Sequence, residues 1–250
     1  MDTKLERLQS IFEKGLKLVD ELMEEQKQKV ITKLSVEFRK KVVLIDDGHA
    51  KNTLGKRTPK FADGSFMIEN DFNRPTAYYL KELCDNFGYL GVIVHPFDNE
   101  NINPVIALND RRKMVDALYD KYKSEGNEVI LHSIHADAAT SDNSWHPATG
   151  TSSFYWRNNE KTSWSKEGFK LASSIHKEML KLGLKDRAWS FERSTAIGKN
   201  LGILRTKPVG ALTECEFMTN KTSALKLLDD GFRRDCANAI FTGIKNYWND

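Results

Sequence analysis

Two histidines and several carboxylates stand where apolar runs of this sequence give way to polar turns, and together they could hold and use a metal ion. The β-branched run Val42 to Asp46 stops at the polar turn IDDGHA, which carries His49. The segment EVILHSIHAD carries His135 near its end, and ALTECEF carries Glu214. A further carboxylate, Glu69, stands at the head of a helical stretch. Two imidazoles and one carboxylate make a three-ligand protein set for zinc that leaves a fourth position open. Zinc in such a site lowers the pKa of water toward ~7 and polarises a carbonyl, which is hydrolytic chemistry. An amide needs one more group, because its amine leaves poorly until protonated. A second carboxylate can take the proton of water and pass it to that nitrogen. Residue type alone does not separate the ligating carboxylate from the proton carrier. The ligands do not sit in one short motif such as HExxH, so spacing adds little.

The elements that must position these groups follow from hydrophobic periodicity. Before residue 40, Leu5, Leu8, Phe12, Leu16, Val19, Leu22, Met23 and Val30 recur at helical spacing, opposite a face of Glu, Lys and Gln. This predicts a long amphipathic helix, free to pack on the rest of the chain or to self-associate. From Lys41 short apolar runs alternate with helical stretches. Strands are expected at VVLID, GVIVHPF, EVILHSIHAD, GTSSFYW, LGILR and ALTECEF. Helices are expected over 70–87, beginning near Pro75, then over 107–123, over 166–182, and at the C-terminus through Phe232, Cys236, Ile240 and Ile244. The alternation predicts an α/β fold: a mostly parallel twisted sheet flanked by helices on both faces, preceded by the N-terminal helix. The organisation expected is a helical extension over 1–40 and a catalytic domain over 41–250. In open α/β sheets sites gather at strand ends, where His49, His135 and Glu214 lie.

Bulk composition excludes several classes. With 38 basic and 35 acidic residues, the net charge of +3 is too small to imply nucleic acid as a partner. No apolar run approaches the ~20 residues that span a bilayer. The N-terminus MDTKLERLQS has no apolar signal region, so synthesis without a signal peptide is the expectation. Cys84, Cys215 and Cys236 show no CxxC spacing and read as buried free thiols of a reducing compartment.

Ordered segments from Lys41 onward resemble the zinc-dependent N-acetylmuramoyl-L-alanine amidases of the Amidase_3 family. IDDGHA resembles the family's DPGHGG-like turn, FMIENDF its glutamate at the head of the first helix, and NDRRKMVDAL its arginine–asparagine helix. SIHAD resembles its SIHAN strand, GTSSFYW its Gly-to-aromatic strand, and PVGALTECEFMTN its PAVLVEXGFXSN-like segment. The resemblance implies that His49, Glu69 and His135 hold one Zn2+ and that Glu214 handles protons. Glu216, two residues on, is the rival. It implies peptidoglycan as substrate and cleavage of the bond between N-acetylmuramic acid and L-alanine. A phage endolysin, made in the cytoplasm and acting on the wall after release, is the setting it suggests; a secreted bacterial enzyme with its signal removed is the alternative. Departures from the pattern are Asp47 for proline, Ala50 for glycine, Asp137 for asparagine and Glu216 for glycine. Asp47 and Glu216 thereby add carboxylates expected near the cation. Arg205 and His146 are candidate substrate-binding residues, and Trp145, Trp156 and Trp164 are expected around the mouth of the site. His132, three positions before His135 on a strand, should face the other way. Two rival functions are a zinc carboxypeptidase-like peptidase, with Arg205 clamping a terminal carboxylate, and a non-catalytic wall-binding module.

Overall fold

The computed structural model of the chain describes residues 2–37, 40–95, 107–187 and 196–249. It divides into two compact units, Met1–Arg39 and Lys40–Asp250. The first is the helix α1 (Asp2–Glu37). Its charged face is laced by pairs one helical turn apart, Lys29 with Glu25 at 2.7 Å and Lys17 with Glu21 at 4.0 Å. On its other side Phe12, Leu16, Val19, Leu22 and Met23 are all exposed. Among the described residues, no helix is long and apolar enough to cross a membrane.

The second unit is built on six strands in the order β2-β1-β3-β6-β4-β5. These are β1 (Lys41–Asp46), β2 (Leu90–Ile93), β3 (Glu128–Asp137), β4 (Ser152–Trp156), β5 (Ile197–Lys199) and β6 (Val209–Phe217). The block β2-β1-β3-β6 is parallel, β4 runs antiparallel to β6, and β5 is parallel to β4. Val42 to Ile45 of β1 are fully buried, as the continuous apolar run of a strand covered on both faces requires. One face of the sheet carries Val43, Ile45, Ile130 and Ile134 against α2 (Glu69–Asn86), α4 (Lys166–Leu180) and α6 (Asp230–Trp248). The other face carries Val42, Leu44 and Leu131 against α3 (Leu108–Ser124). A short helix, α5 (Lys221–Leu228), follows β6. Gly243 of α6 lies where a Cβ would come within 2.4 Å of Ile175 Cα in α4, so glycine is what lets these two helices approach. The expected α/β sheet with helices on both faces is the fold observed.

Three local expectations are corrected. The segment LGILR is not a strand: Gly202–Leu204 forms a 3-10 turn, and the edge strand is the three-residue β5 before it. The first helix begins at Glu69, ahead of Pro75, which lies inside it. Asp71 makes the early start possible, because its carboxylate accepts the Ile68 N–H at 2.9 Å and caps the first turn. β2 ends at Ile93; Pro96 and Phe97, the tail of the expected strand, lie outside the described residues. Cys84, Cys215 and Cys236 are buried free thiols, as expected.

Candidate metal centre

His49, Glu69 and His135 converge at the carboxyl ends of β1 and β3, with their ligating atoms within 4.8 Å of one another. His135 Nδ1 lies 2.9 Å from Glu69 Oε1, and His49 Nε2 lies 3.8 Å from Glu69 Oε2. The imidazole rings meet edge to face with centroids 5.1 Å apart. Glu69 is buried, and its Oε1 also accepts from Asn73 Nδ2 at 3.1 Å and from the Ala136 N–H at 3.3 Å. Burial alone would raise its pKa, but hydrogen bonding to His135 and the two neighbouring imidazoles outweigh burial and lower it. Burial lowers His49 to about 4, despite the opposing pull of Glu69, so its ring is neutral at neutral pH. A neutral imidazole and an ionised carboxylate are the forms that bind a cation. Two nitrogens and one oxygen with an open side form a donor set that fits zinc.

The turn bearing His49 is gripped from two helices. The first turns of α2, which present Glu69, also send the Asn70 side chain to His49 O at 2.7 Å and Arg74 Nη1 to Asp47 Oδ2 at 3.0 Å. From α3, Arg111 Nη1 bonds Asp46 Oδ1 at 2.9 Å and also reaches Gly48 O. Gly48 has φ +67, and a Cβ there would meet Asn73 Nδ2 at 2.5 Å and Ile134 O at 2.7 Å. Only glycine turns so tightly between these neighbours. His95 Nε2 lies 2.8 Å from Asp47 Oδ1 and 3.5 Å from Asp46 Oδ1. Burial would lower His95, but the two aspartates raise it to about 9, so it is an imidazolium at neutral pH. Asp46, Asp47 and His95 are spaced like a second ligand set. Arg111, Arg74 and the charged His95 already neutralise both carboxylates, so the cluster is an ion-pair network behind the metal centre. Asp47 therefore faces these partners and not the cation.

Glu214 of β6 is the register partner of His135 on β3, which puts both side chains on one face of the sheet. Its Oε2 is buried without a hydrogen-bond partner. Burial raises its pKa to about 8, against the pull of His135. Glu216 does not share that face. Between the pairs His135–Glu214 and Asp137–Phe217, β3 advances two residues and β6 three, so β6 is bulged. Glu216 Oε2 instead accepts the N–H groups of Gly150 at 2.7 Å and Phe217 at 2.8 Å. The Glu216 carboxylate is thus anchored on backbone and is not the register partner of His135.

The remaining candidates separate by the end of the sheet they occupy. His146 is tied to the segment just after β6: its N–H donates to Thr219 O at 2.8 Å, and Asn220 Nδ2 donates to its carbonyl at 3.2 Å. That is the end bearing the metal centre. Trp145 packs on Phe61 at the same end, with centroids 5.3 Å apart. Arg205 precedes β6 and lines a cavity of about 530 Å³ at the opposite end, together with Trp156, Asn200 and Lys207. The structure does not bring it to the centre. Trp164 packs on Tyr155 and Phe169, away from the expected mouth. His132 is buried, and burial lowers its pKa to about 3; neither ring nitrogen has a partner among the described residues. Asn73 and Arg74 left no signal in the sequence; Asn70 lies within FMIENDF, Arg111 within the arginine-bearing helix NDRRKMVDAL, and His95 at the end of GVIVHPF reads from sequence only as a loop-edge residue.

Two outcomes follow from this geometry. Asp47→Asn removes one carboxylate that anchors the His49 turn, and groups that orient ligands typically contribute 10–100-fold to metal affinity. Zinc titration of the purified variant should show a dissociation constant higher by about tenfold or more, with unchanged stoichiometry. Metal-free Glu214 gives a pH signature. Its native pKa of about 8 exceeds its ordinary 4.5, so between these values the native state keeps a proton that the unfolded chain has lost. Stability therefore falls as pH rises through that window. Glu214→Gln stays neutral throughout, so in urea unfolding of the metal-free protein its advantage over the wild type should grow from pH 6 to pH 9.

No curated protein sequence matches the chain. Among solved structures it is similar to the N-acetylmuramoyl-L-alanine amidase of Clostridium difficile 630, with 23% identity and a TM-score of 0.64, over 85% of this chain and 98% of that one. It is similar also to the amidase Ami1 of Mycobacterium smegmatis, with 18% identity and a TM-score of 0.64, over 84% and 98%. The catalytic domain of the CD27L endolysin, which targets Clostridia difficile, matches at 20% identity with a TM-score of 0.52, over 83% and 98%. The model of the Amidase_3 family, N-acetylmuramoyl-L-alanine amidase, matches residues 43–246, and the chain belongs to that family.

Proposed function

We propose that this chain is a zinc-dependent amidohydrolase that cleaves the amide between N-acetylmuramic acid and L-alanine in peptidoglycan. In this reading residues 41–250 are the catalytic domain and residues 1–40 a helical extension. The observation that carries it is the convergence of His49, Glu69 and His135 with the unpartnered, buried Oε2 of Glu214. His49, Glu69 and His135 are the ligands of one zinc ion. When bound, zinc supplies Lewis acidity toward the scissile carbonyl and acidifies water toward pKa ~7. A cation on the three ligands also pulls the Glu214 carboxyl down from its raised value. Glu214 then takes the proton of the attacking water at Oε2 and delivers it to the amine nitrogen as the C–N bond breaks. The acid leaves with the lactyl group and the free amine with L-alanine. His146 lines the substrate groove in this reading, which the attachment of its loop beside the end of β6 supports.

Arg205, at the far end of the sheet, has no place here, so the carboxypeptidase-like alternative lacks its clamp. A non-catalytic wall-binding module would have no use for all four groups. A phage lysin is the setting we favour; the free thiols suit synthesis in a reducing compartment, and the similarity to an endolysin catalytic domain is compatible with it. Self-association through α1 is part of the proposal, on the strength of its exposed apolar stripe. Sedimentation over a range of concentrations should give a mass above that of one chain, and a single-chain mass at every concentration refutes it.

The catalytic assignment is tested on purified peptidoglycan. The wild type should release new amino termini without reducing sugars, and EDTA should stop the release. Glu214→Gln should lose turnover by a factor of about 10² or more while still binding zinc. Glu216→Gln should instead lower stability, because two backbone N–H groups lose a charged acceptor, while the folded protein turns over. The reverse pattern would exchange the two roles.

A further inference from the structure

Lys56 lies in the loop between β1 and α2, and the backbone fixes it to the metal centre. Its carbonyl accepts the N–H of the ligand Glu69 at 2.9 Å. The next residue, Arg57, forms an antiparallel bridge with Ile68. Thr58 then closes the clip: its N–H donates to Met67 O at 2.9 Å and its hydroxyl accepts from the Met67 N–H at 3.0 Å. Residues 56–58 and 67–69 thus form a short two-stranded clasp at the head of α2. Beyond the clasp, Phe61 packs on Trp145, so this loop and the loop bearing His146 meet on one rim of the site.

Lys56 is half-buried as a residue, and among the described residues its ammonium has no hydrogen-bond or ion-pair partner. Its charge is felt at both His49 and Glu214. The arginines near this turn differ in that respect: Arg74 and Arg111 are both committed to aspartates. A cation without an internal counter-ion favours an anionic ligand. Its position on a loop at the rim, and the flexible stem of lysine, suit a substrate charge better than the reacting atoms. In the substrate proposed above, the lactyl carboxyl is consumed in the scissile amide, so the acyl side is neutral there. Carboxylates lie on the amine side, along the peptide stem.

We propose that Lys56, clasped to the head of α2 beside the metal ligands, is a specificity residue that binds a carboxylate of the peptide stem on the leaving-amine side. The inference rests on the amidase reading and names what that site selects. The test uses two N-acetylmuramoyl-L-alanyl dipeptides whose last residue carries either a free side-chain carboxylate or the corresponding amide, each with its terminal carboxyl blocked. The wild type should prefer the free carboxylate by about tenfold in kcat/KM, the scale of one charge-assisted hydrogen bond. The preference should reside in KM and shrink as salt is raised. Lys56→Gln should lose the preference, and Lys56→Arg should retain most of it. A Lys56→Gln enzyme that keeps the preference, or that loses kcat equally on both dipeptides, overturns the proposal. If the wild type cleaves neither dipeptide, the amidase reading is what fails. Calorimetric binding of the two dipeptides to the wild type and to Lys56→Gln then judges Lys56 alone, and equal affinities of the wild type for both would dismiss it.

Discussion

The buried carboxylate of Glu69 is the point on which the rest of the centre depends. An ionised carboxylate taken out of water costs several kcal/mol unless its oxygens are well bonded. Here His135, Asn73 and the Ala136 N–H all converge on Oε1, while Oε2 lies toward His49. These bonds tie the head of α2 to the end of β3 and leave the second oxygen toward His49. The same side chain thus joins two elements of the fold and belongs to the candidate ligand set. A cation seated there would take over the electrostatic role that the histidines play without it.

The turn after β1 is organised by charge in the same way. Asp46 and Asp47 are fully buried, and they are tolerable only because Arg111, Arg74 and the His95 imidazolium surround them. Each partner comes from a different element, α3, α2 and the segment after β2. The network therefore registers three elements against the strand that delivers His49. Asp47, a departure from the proline of the family pattern, is bound into this network and lies away from the cation. Its value to the centre is orientation of a ligand, which is how outer residues tune a metal site.

The bulge in β6 sorts two glutamates that are chemically identical. One extra residue after Glu214 breaks the two-residue alternation, so Glu216 swings onto the Gly150 and Phe217 amides and Glu214 stays opposite His135. Glu216 is held by two backbone N–H groups, and its Oε2 is an acceptor in both bonds. Glu214 keeps a buried oxygen that nothing in the described residues satisfies, the condition under which a carboxyl holds a proton near neutral pH.

Much of this was legible before any coordinates, for reasons that are local. Apolar periodicity shows where strands and helices alternate, and the polar residues that end VVLID and EVILHSIHAD mark where a parallel sheet places its chemistry. Family-like segments in the right order point to His49, Glu69, His135 and Glu214 as candidates. Where local pattern misled, a through-space term was decisive. Asp71 capped α2 ahead of Pro75, and LGILR was apolar enough for a strand but lies in a 3-10 turn at a sheet edge. Arg205 looked adjacent to the site because it is close in sequence to Glu214, yet strand direction carries it to the other end of the sheet. The sequence carries the candidate ligands and the α/β order that brings them together. Only the folded chain separates the surroundings of Glu214 and Glu216, binds Asp47 to Arg74 and His95, and sets Lys56 beside Glu69. A bulge, a buried ion pair and a loop clasp depend on which backbones meet across the fold, and side-chain spacing along one strand does not encode that meeting.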